Sequence, residues 1–226
     1  MSHPVPPARA IFAGMNGTTP IFNERIADYL YDSNNPYEIP NLLLEMQAGH
    51  VELPLAAFGS GKRYKDGTVT LHFYVDDYRF NSVWKNPAKI QTSTLRAIVE
   101  PNTSLFDTTP IAFGLHQIYK KRWIARFLQE RGVYVYADLN VSSKFYDYNR
   151  MGIPDGYNAF ATRGYSDRLE QLEDELRIAQ EISGFDIPNM FVYGGGAKVQ
   201  DFCCKHSLLY IYDYMTSKKK YGKEVR

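Results

Sequence analysis

A chain of 226 residues suits one large domain, since domains commonly run to about 150 residues. Its 44% apolar and 23% charged residues are the balance of a globular chain with a sizeable core, which excludes wholesale disorder. With 26 basic against 25 acidic side chains the net charge is +1, so no global charge marks a nucleic-acid glove or a membrane-surface protein.

No apolar run approaches the ~20 residues of a bilayer-spanning helix, and Met1 to Pro7 lacks the apolar stretch of a secretory signal. The two cysteines, Cys203 and Cys204, are neighbours, a spacing that strains a disulfide; two reduced thiols in a cytosol-like compartment are expected. The 18 tyrosines supply apolar area with a polar tip, suited to half-buried margins or an interface.

Residues 1–67 read as an extended, aromatic and proline-rich arm. Prolines at 4, 6, 7, 20, 36, 40 and 54 and glycines at 14, 17, 49, 59 and 61 interrupt every periodic stretch. A short helix is predicted over Ile21 to Tyr31, with Phe22, Ile26, Ala27 and Leu30 on one side, followed by a brief apolar segment from Leu42 to Met46. The arm's leucines and aromatics predict docking, either on its own body or on a partner or second copy. Gly59-Ser60-Gly61-Lys62-Arg63 resembles a phosphate loop only superficially, because Ala56 stands where a Walker glycine is needed and Arg63 where Ser or Thr is needed.

An α/β core is predicted over 68–213. Val69, Leu71, Phe73 and Val75 alternate with polar or aromatic neighbours as a strand that ends at Asp76-Asp77. Phe80, Val83 and Trp84 follow at helical spacing, and Asn86 can cap a turn that Pro87 opens. Ala97 to Val99 is a buried-strand candidate ending at Glu100. Pro110 opens the strongest helix, striped by Ile111, Leu115, Ile118, Ala125 and Leu128 and stopped by Gly132. Val133, Val135 and Ala137 make a strand ending at Asp138, and Asn158 to Thr162 is extended. Asp167 and Glu170 have capping-box spacing before a helix faced by Leu169, Leu172, Leu176, Ala179 and Ile182, on which Glu173 and Arg177 can pair. Met190 to Tyr193 is a strand before Gly194-Gly195-Gly196, after which no clear helix is read. Leu208 to Tyr212 is strand or helix, and 214–226 is a basic tail, frayed over its last nine residues.

Strand followed by helix, repeated about five times, requires a mostly parallel sheet with crossover helices. The fold class is therefore α/β, either a partial or irregular (βα) barrel or an open doubly wound sheet, with the long irregular arm in front. Both place ligands at the carboxyl ends of the strands. The exits carry Asp76, Asp77, Glu100, Asp138 and Arg163 as candidate catalytic groups, with Asn102, Asn140, Tyr193, Gly194 and Gly195 as candidate binding groups. Asp77, Glu100 and Asp138 together offer oxygen ligands for Mg2+, or one of them a general acid or base. Each also has a structural reading, as a cap, a loop turn or a salt-bridge partner. His116, Tyr119 and Arg122 line one edge of the Pro110 helix, His116 as a candidate proton shuttle and the other two as binding groups. The histidines at 3, 50, 72, 116 and 206 show no metal-ligand spacing.

Asp76-Asp77-Tyr78, Phe80, Trp84 and Asn86-Pro87, then Pro101 with Ser104-Leu105, resemble the pattern of domain of unknown function 4417, a family of phages, prophages and plasmid-like elements. Pro110 with Ala112, Gln117, Tyr119 and Arg122 continues the likeness, as do Gly132, Gly152-Ile153-Pro154 and Val192-Tyr193-Gly194, so that it covers about residues 68–196. Asn102 stands where the family usually has aspartate, and Leu139-Asn140 where it usually has an aromatic. The resemblance implies an α/β fold and a mobile-element origin, without an established activity. It frames two expectations, and turnover is left open between them. One is an enzyme-like domain acting on nucleic acid or a nucleotide in phage or plasmid replication, through an acidic rim. The other is a non-catalytic interaction or virion-associated protein that docks on itself or on a phage or host protein through residues 1–67. Both place it in the host cytoplasm or on a virion, away from membranes.

Overall fold

The computed structural model describes residues 30–53, 55–60, 69–90, 92 and 95–221. Most of the helix expected over Ile21 to Tyr31, the Gly61-Lys62-Arg63 part of the glycine-lysine segment and the last five residues of the tail lie outside the described residues.

Seven strands form one sheet: β1 (Ala56–Ala57), β2 (Val69–His72), β3 (Leu95–Val99), β4 (Tyr134–Asp138), β5 (Phe160–Arg163), β6 (Met190–Tyr193) and β7 (Leu209–Ile211). Each pairs in parallel with the next, in chain order from β1 to β7. Crossovers between parallel strands are right-handed, so a strictly consecutive order puts every crossover on one face. A doubly wound sheet would have to reverse its order somewhere. The doubly wound alternative therefore falls, and the partial barrel stands with seven strands.

The curl is visible in side-chain contacts. His72 at the end of β2 and Tyr193 at the end of β6 have ring centroids 4.6 Å apart. Four strand steps in a flat sheet would separate them by about 19 Å. Tyr136 meets Phe191 at 5.1 Å on the same concave face, and Tyr74, just past β2, stacks on Tyr193 at 5.5 Å. The inside of the half-barrel is thus filled by aromatic rings.

The helices are α1 (Asp77–Lys85), α2 (Ile111–Gln129), α3 (Tyr146–Arg150), α4 (Leu169–Ser183), α5 (Ala197–Lys205) and α6 (Tyr214–Tyr221). Two of these helices depart from expectation: α5 starts directly after Gly196, and α6 orders part of the basic tail. The segment Leu208 to Tyr212, open between strand and helix, is the strand Leu209–Ile211. The capping box is not formed, because Arg168 occupies the N-cap of α4 and no side chain caps it. Arg177 pairs with Asp174 at 3.0 Å and Glu181 at 3.2 Å instead of Glu173. Pro87 opens a 3-10 turn as expected, though Asn86 makes no side-chain cap. Both cysteines are free; burial pushes the Cys203 thiol up to about 12, which leaves it inert.

Residues 30–57 are not a separate arm. Ala56–Ala57 is the first strand of the sheet, and Ile39, Leu42, Ala48 and Leu55 are buried. The segment also plugs the bottom of the half-barrel. The Ala48 N–H donates to the Val135 carbonyl at 3.0 Å, and Asn189 Nδ2 donates to the Ala48 carbonyl at 2.9 Å. The buried Gln129 amide holds both the N–H and the carbonyl of Leu43. The bottom is thereby closed and the strand exits are left as the accessible end.

A small second core of Ile39, Leu105, Ile118, Val141 and Phe145 lies beneath the loops that follow β3 and β4. Phe145 enters it because position 114 on α2 is glycine: a Cβ there would lie 2.0 Å from the Phe145 ring. Gly114→Ala is expected to destabilise the protein by about 1–3 kcal/mol, despite the ~1 kcal/mol of helix propensity that alanine adds. Urea unfolding of the variant checks the sign.

Candidate functional site

The exits of β3 and β4 carry two buried ion pairs tied into one network. Glu100 Oε1 accepts from Arg122 Nη1 at 2.7 Å, and Glu100 Oε2 accepts from the backbone N–H of Asp138 at 3.0 Å. Asp138 Oδ2 accepts from Lys121 Nζ and from Asn102 Nδ2, each at 3.2 Å, while Oδ1 accepts from the Tyr74 hydroxyl at 3.2 Å. Asn149 Nδ2 donates to the Asp138 carbonyl at 3.0 Å, and the Asn149 carbonyl accepts from Arg122 Nη2 at 2.7 Å. Both acids and both bases have no exposed surface. Burial raises the Asp138 carboxyl above its ordinary value, and Lys121 only partly opposes this.

A third buried carboxyl stands next to this network. Glu175 on α4 accepts from the Thr162 hydroxyl at 2.6 Å and from Gln171 Nε2 at 2.9 Å. Burial pushes it up to about 8, and the charge of Asp138 pushes in the same direction.

Above these acids opens a cavity of about 610 Å³, walled by the loops after β3, β4 and β5 and by the start of α4. That volume is in the range of small-molecule sites, about 300–1,000 Å³. Asn102 and Gln171 line it, and each has its amide nitrogen held from below by a buried carboxyl. The Thr103 and Ser142 hydroxyls, on residues of the same wall, are buried with no partner among the described residues. Native proteins seldom leave such groups unpaired. Asp77 braces the wall from α1 by accepting from both the N–H and the hydroxyl of Ser104.

The structure therefore brings together Glu100, Asn102, Asp138, Asn140 and Arg122, with Asp77 at the edge of the group. Others are placed elsewhere. Asp76 is exposed and only 3.9 Å from Arg79. His116 and Tyr119 pack edge-on against Trp84 of α1, away from the cavity, with centroids at 6.3 and 6.5 Å. Partial burial and the nearby Lys120 lower the His116 pKa. Arg163, Tyr193, Gly194 and Gly195 line a neighbouring cavity of about 360 Å³ with Asp167 and Asp213. Tyr165 lines both cavities.

The magnesium expectation does not fit. Among the described residues no group of three or more His, Cys, Asp or Glu is arranged to hold a metal ion. Every carboxylate oxygen of Asp77, Glu100 and Asp138 already accepts from a protein donor. The residues that the sequence reading passed over are Lys121, Gln171 and Glu175, with Tyr74, Thr103 and Ser142. Lys121 and Glu175 had a signal, since each occupies a position on the apolar stripe of its helix, between Ile118 and Ala125 and between Leu172 and Ala179.

Among the described residues no helix is long and apolar enough to cross a membrane. The model of a family described as Domain of unknown function (DUF4417) matches residues 31–179. The Gene 1 protein of Mycobacterium phage D29 is 30% identical over 132 residues, which is 56% of this chain and 48% of the phage protein. That of Mycobacterium phage L5 is 32% identical over 111 residues, 46% of this chain and 47% of the relative. The chain thus spans about half the length of the curated relatives it matches. No solved structure matches it significantly.

Proposed function

The chain belongs to the DUF4417 family, whose members include phage proteins, and from that premise we propose that it is an enzyme-like α/β domain acting on nucleic acid or a nucleotide in phage replication, within the host cytoplasm. The observation that carries this reading is the polar cavity at the strand exits, floored by the buried Asp138 and Glu175 carboxyls. Parallel α/β folds put their ligands at this end.

Neither carboxyl reaches the cavity directly, since Asp138 has no exposed surface and Glu175 is 1% exposed. They act through the wall. Asp138 fixes the amide of Asn102 and Glu175 that of Gln171, so the amides that would meet a ligand are pre-oriented. The reading by which residues 1–67 dock on a partner is only partly weakened: Ile39, Leu42, Ala48 and Leu55 are buried against the chain's own core, while Leu30, Tyr37, Leu44 and Leu53 are exposed.

Occluding the mouth tests the proposal. Ser143 is exposed on the cavity rim, and Ser143→Trp is expected to leave the circular dichroism spectrum unchanged. It should weaken the binding of nucleoside triphosphates or single-stranded oligonucleotides, measured by calorimetry, at least about tenfold, the equivalent of 1.4 kcal/mol. Equal binding by the variant, or no binding by the unaltered chain, removes the cavity from the argument.

A further inference from the structure

Resting on the reading of the mouth as a nucleotide-handling site, we infer that it recognises the uncharged nucleoside part of its ligand, base and sugar, and not the phosphates. The lining is rich in acceptors and poor in cations. Asn102 turns its amide nitrogen toward Asp138 Oδ2 and the Asn140 carbonyl, each at 3.2 Å. Gln171 likewise turns its nitrogen toward Glu175 Oε1 at 2.9 Å and the Val141 carbonyl at 3.2 Å. Their amide oxygens are engaged by no group among the described residues, so they are available to the amino and hydroxyl donors of a ligand.

The charges around the cavity point the same way. Asp107, Glu170 and Asp174 line it, opposed by Arg168, whose guanidinium lies 4.9 Å above the Tyr165 ring. Lys144, beside the mouth, is committed to the carbonyls of Asp107 at 3.0 Å and Thr109 at 2.6 Å. A phosphate, carrying about −1.5 to −2 charges, would meet a surplus of carboxylates here. A sugar hydroxyl would not, and the wall residue Thr103 holds a buried hydroxyl with no partner among the described residues. Tyr165, half-buried in the wall, already carries the guanidiniums of Arg168 at 4.9 Å and Arg163 at 5.5 Å against its ring, and a base stacks on it by taking the place of one of them.

Calorimetry of the full chain with adenosine, cytidine, guanosine and thymidine, and with the matching 5′-triphosphates, tests this at two salt concentrations. At least one nucleoside is expected to bind as tightly as its triphosphate, with an affinity that salt does not change. Tyr165→Ala should weaken both forms about tenfold or more. The double variant Asp107→Asn with Glu170→Gln, at two exposed positions, should tighten the triphosphate several-fold and leave the nucleoside unchanged. Triphosphates binding where nucleosides do not, with affinity falling steeply as salt rises, would overturn the inference and leave the parent reading standing. Binding of neither form would overturn both.

Discussion

Arg122→Met is expected to lower the free energy of unfolding by about 3–5 kcal/mol, the cost of stripping the partner from a buried charge. Arg122 has no exposed surface, and its guanidinium supplies donors to Glu100 Oε1 and to the Asn149 carbonyl. In the variant, Glu100 keeps only the Asp138 backbone N–H at 3.0 Å. A single N–H cannot replace the solvation that a buried carboxylate has lost. The loss should be mostly recovered in Arg122→Met with Glu100→Gln, which removes the stranded charge along with its partner. Urea denaturation of the two variants and the parent measures both effects. A single variant within about 1 kcal/mol of the parent would mean that this pair behaves like an exposed one. Because Glu100 and Asn149 both bond to Asp138, the single variant should also loosen the floor of the cavity, whereas the double variant keeps a neutral acceptor for the Asp138 N–H.

This pair also shows what a sequence can and cannot reveal about such a site. Glu100 and Asp138 are legible as neighbours because each directly follows or ends a strand with a clear apolar pattern, and parallel topology sends all strand ends to one side. Their roles are not legible, because the groups that neutralise them come from α2. Lys121 and Arg122 follow Lys120 in an unbroken basic run, yet both occupy the buried side of α2, where Ile118 and Ala125 also lie. A long basic side chain on an apolar stripe is a cue to look for a buried acid. Glu175 carries the same cue on α4, one position before Leu176. β1 is only Ala56–Ala57 and has no periodicity to read. α5 is nine residues that follow three glycines, all at positive φ, a run that reads as a loop. Seven strands were therefore read as about five, while the feature that decides function, parallel strands ending at one mouth, survived the miscount.

Glu175 should make the protein less stable as pH rises toward neutrality, and Glu175→Gln should abolish most of that trend. Its ordinary value of 4.5 is pushed to about 8 in the folded chain. Between those two values the unfolded chain has released this proton and the folded chain still holds it. The unfolded state then binds fewer protons, so the free energy of unfolding falls with rising pH, by up to about 1.4 kcal/mol per unit for this group. The stabilisation is complete below about 4.5, is lost across the window, and changes no further above about 8. Asp138, also raised, adds to the same slope from the acid side. The groups facing Glu175 come from several elements: Thr162 on β5, Gln171 on its own helix, Asp138 on β4 and Lys121 on α2. Only Lys121 among these favours the ionised form by its charge, and it is already committed to Asp138 at 3.2 Å. Thermal melts from pH 5 to 9 should show the midpoint of the parent falling across the window, with a clearly flatter profile for Glu175→Gln. Parallel profiles would show that Glu175 titrates at its ordinary value and that water reaches it. Ionising Glu175 places a charge behind Gln171, so ligand affinity at the cavity should change over the same interval in the parent and stay level in the variant, which ties the titration to the site and not to stability alone.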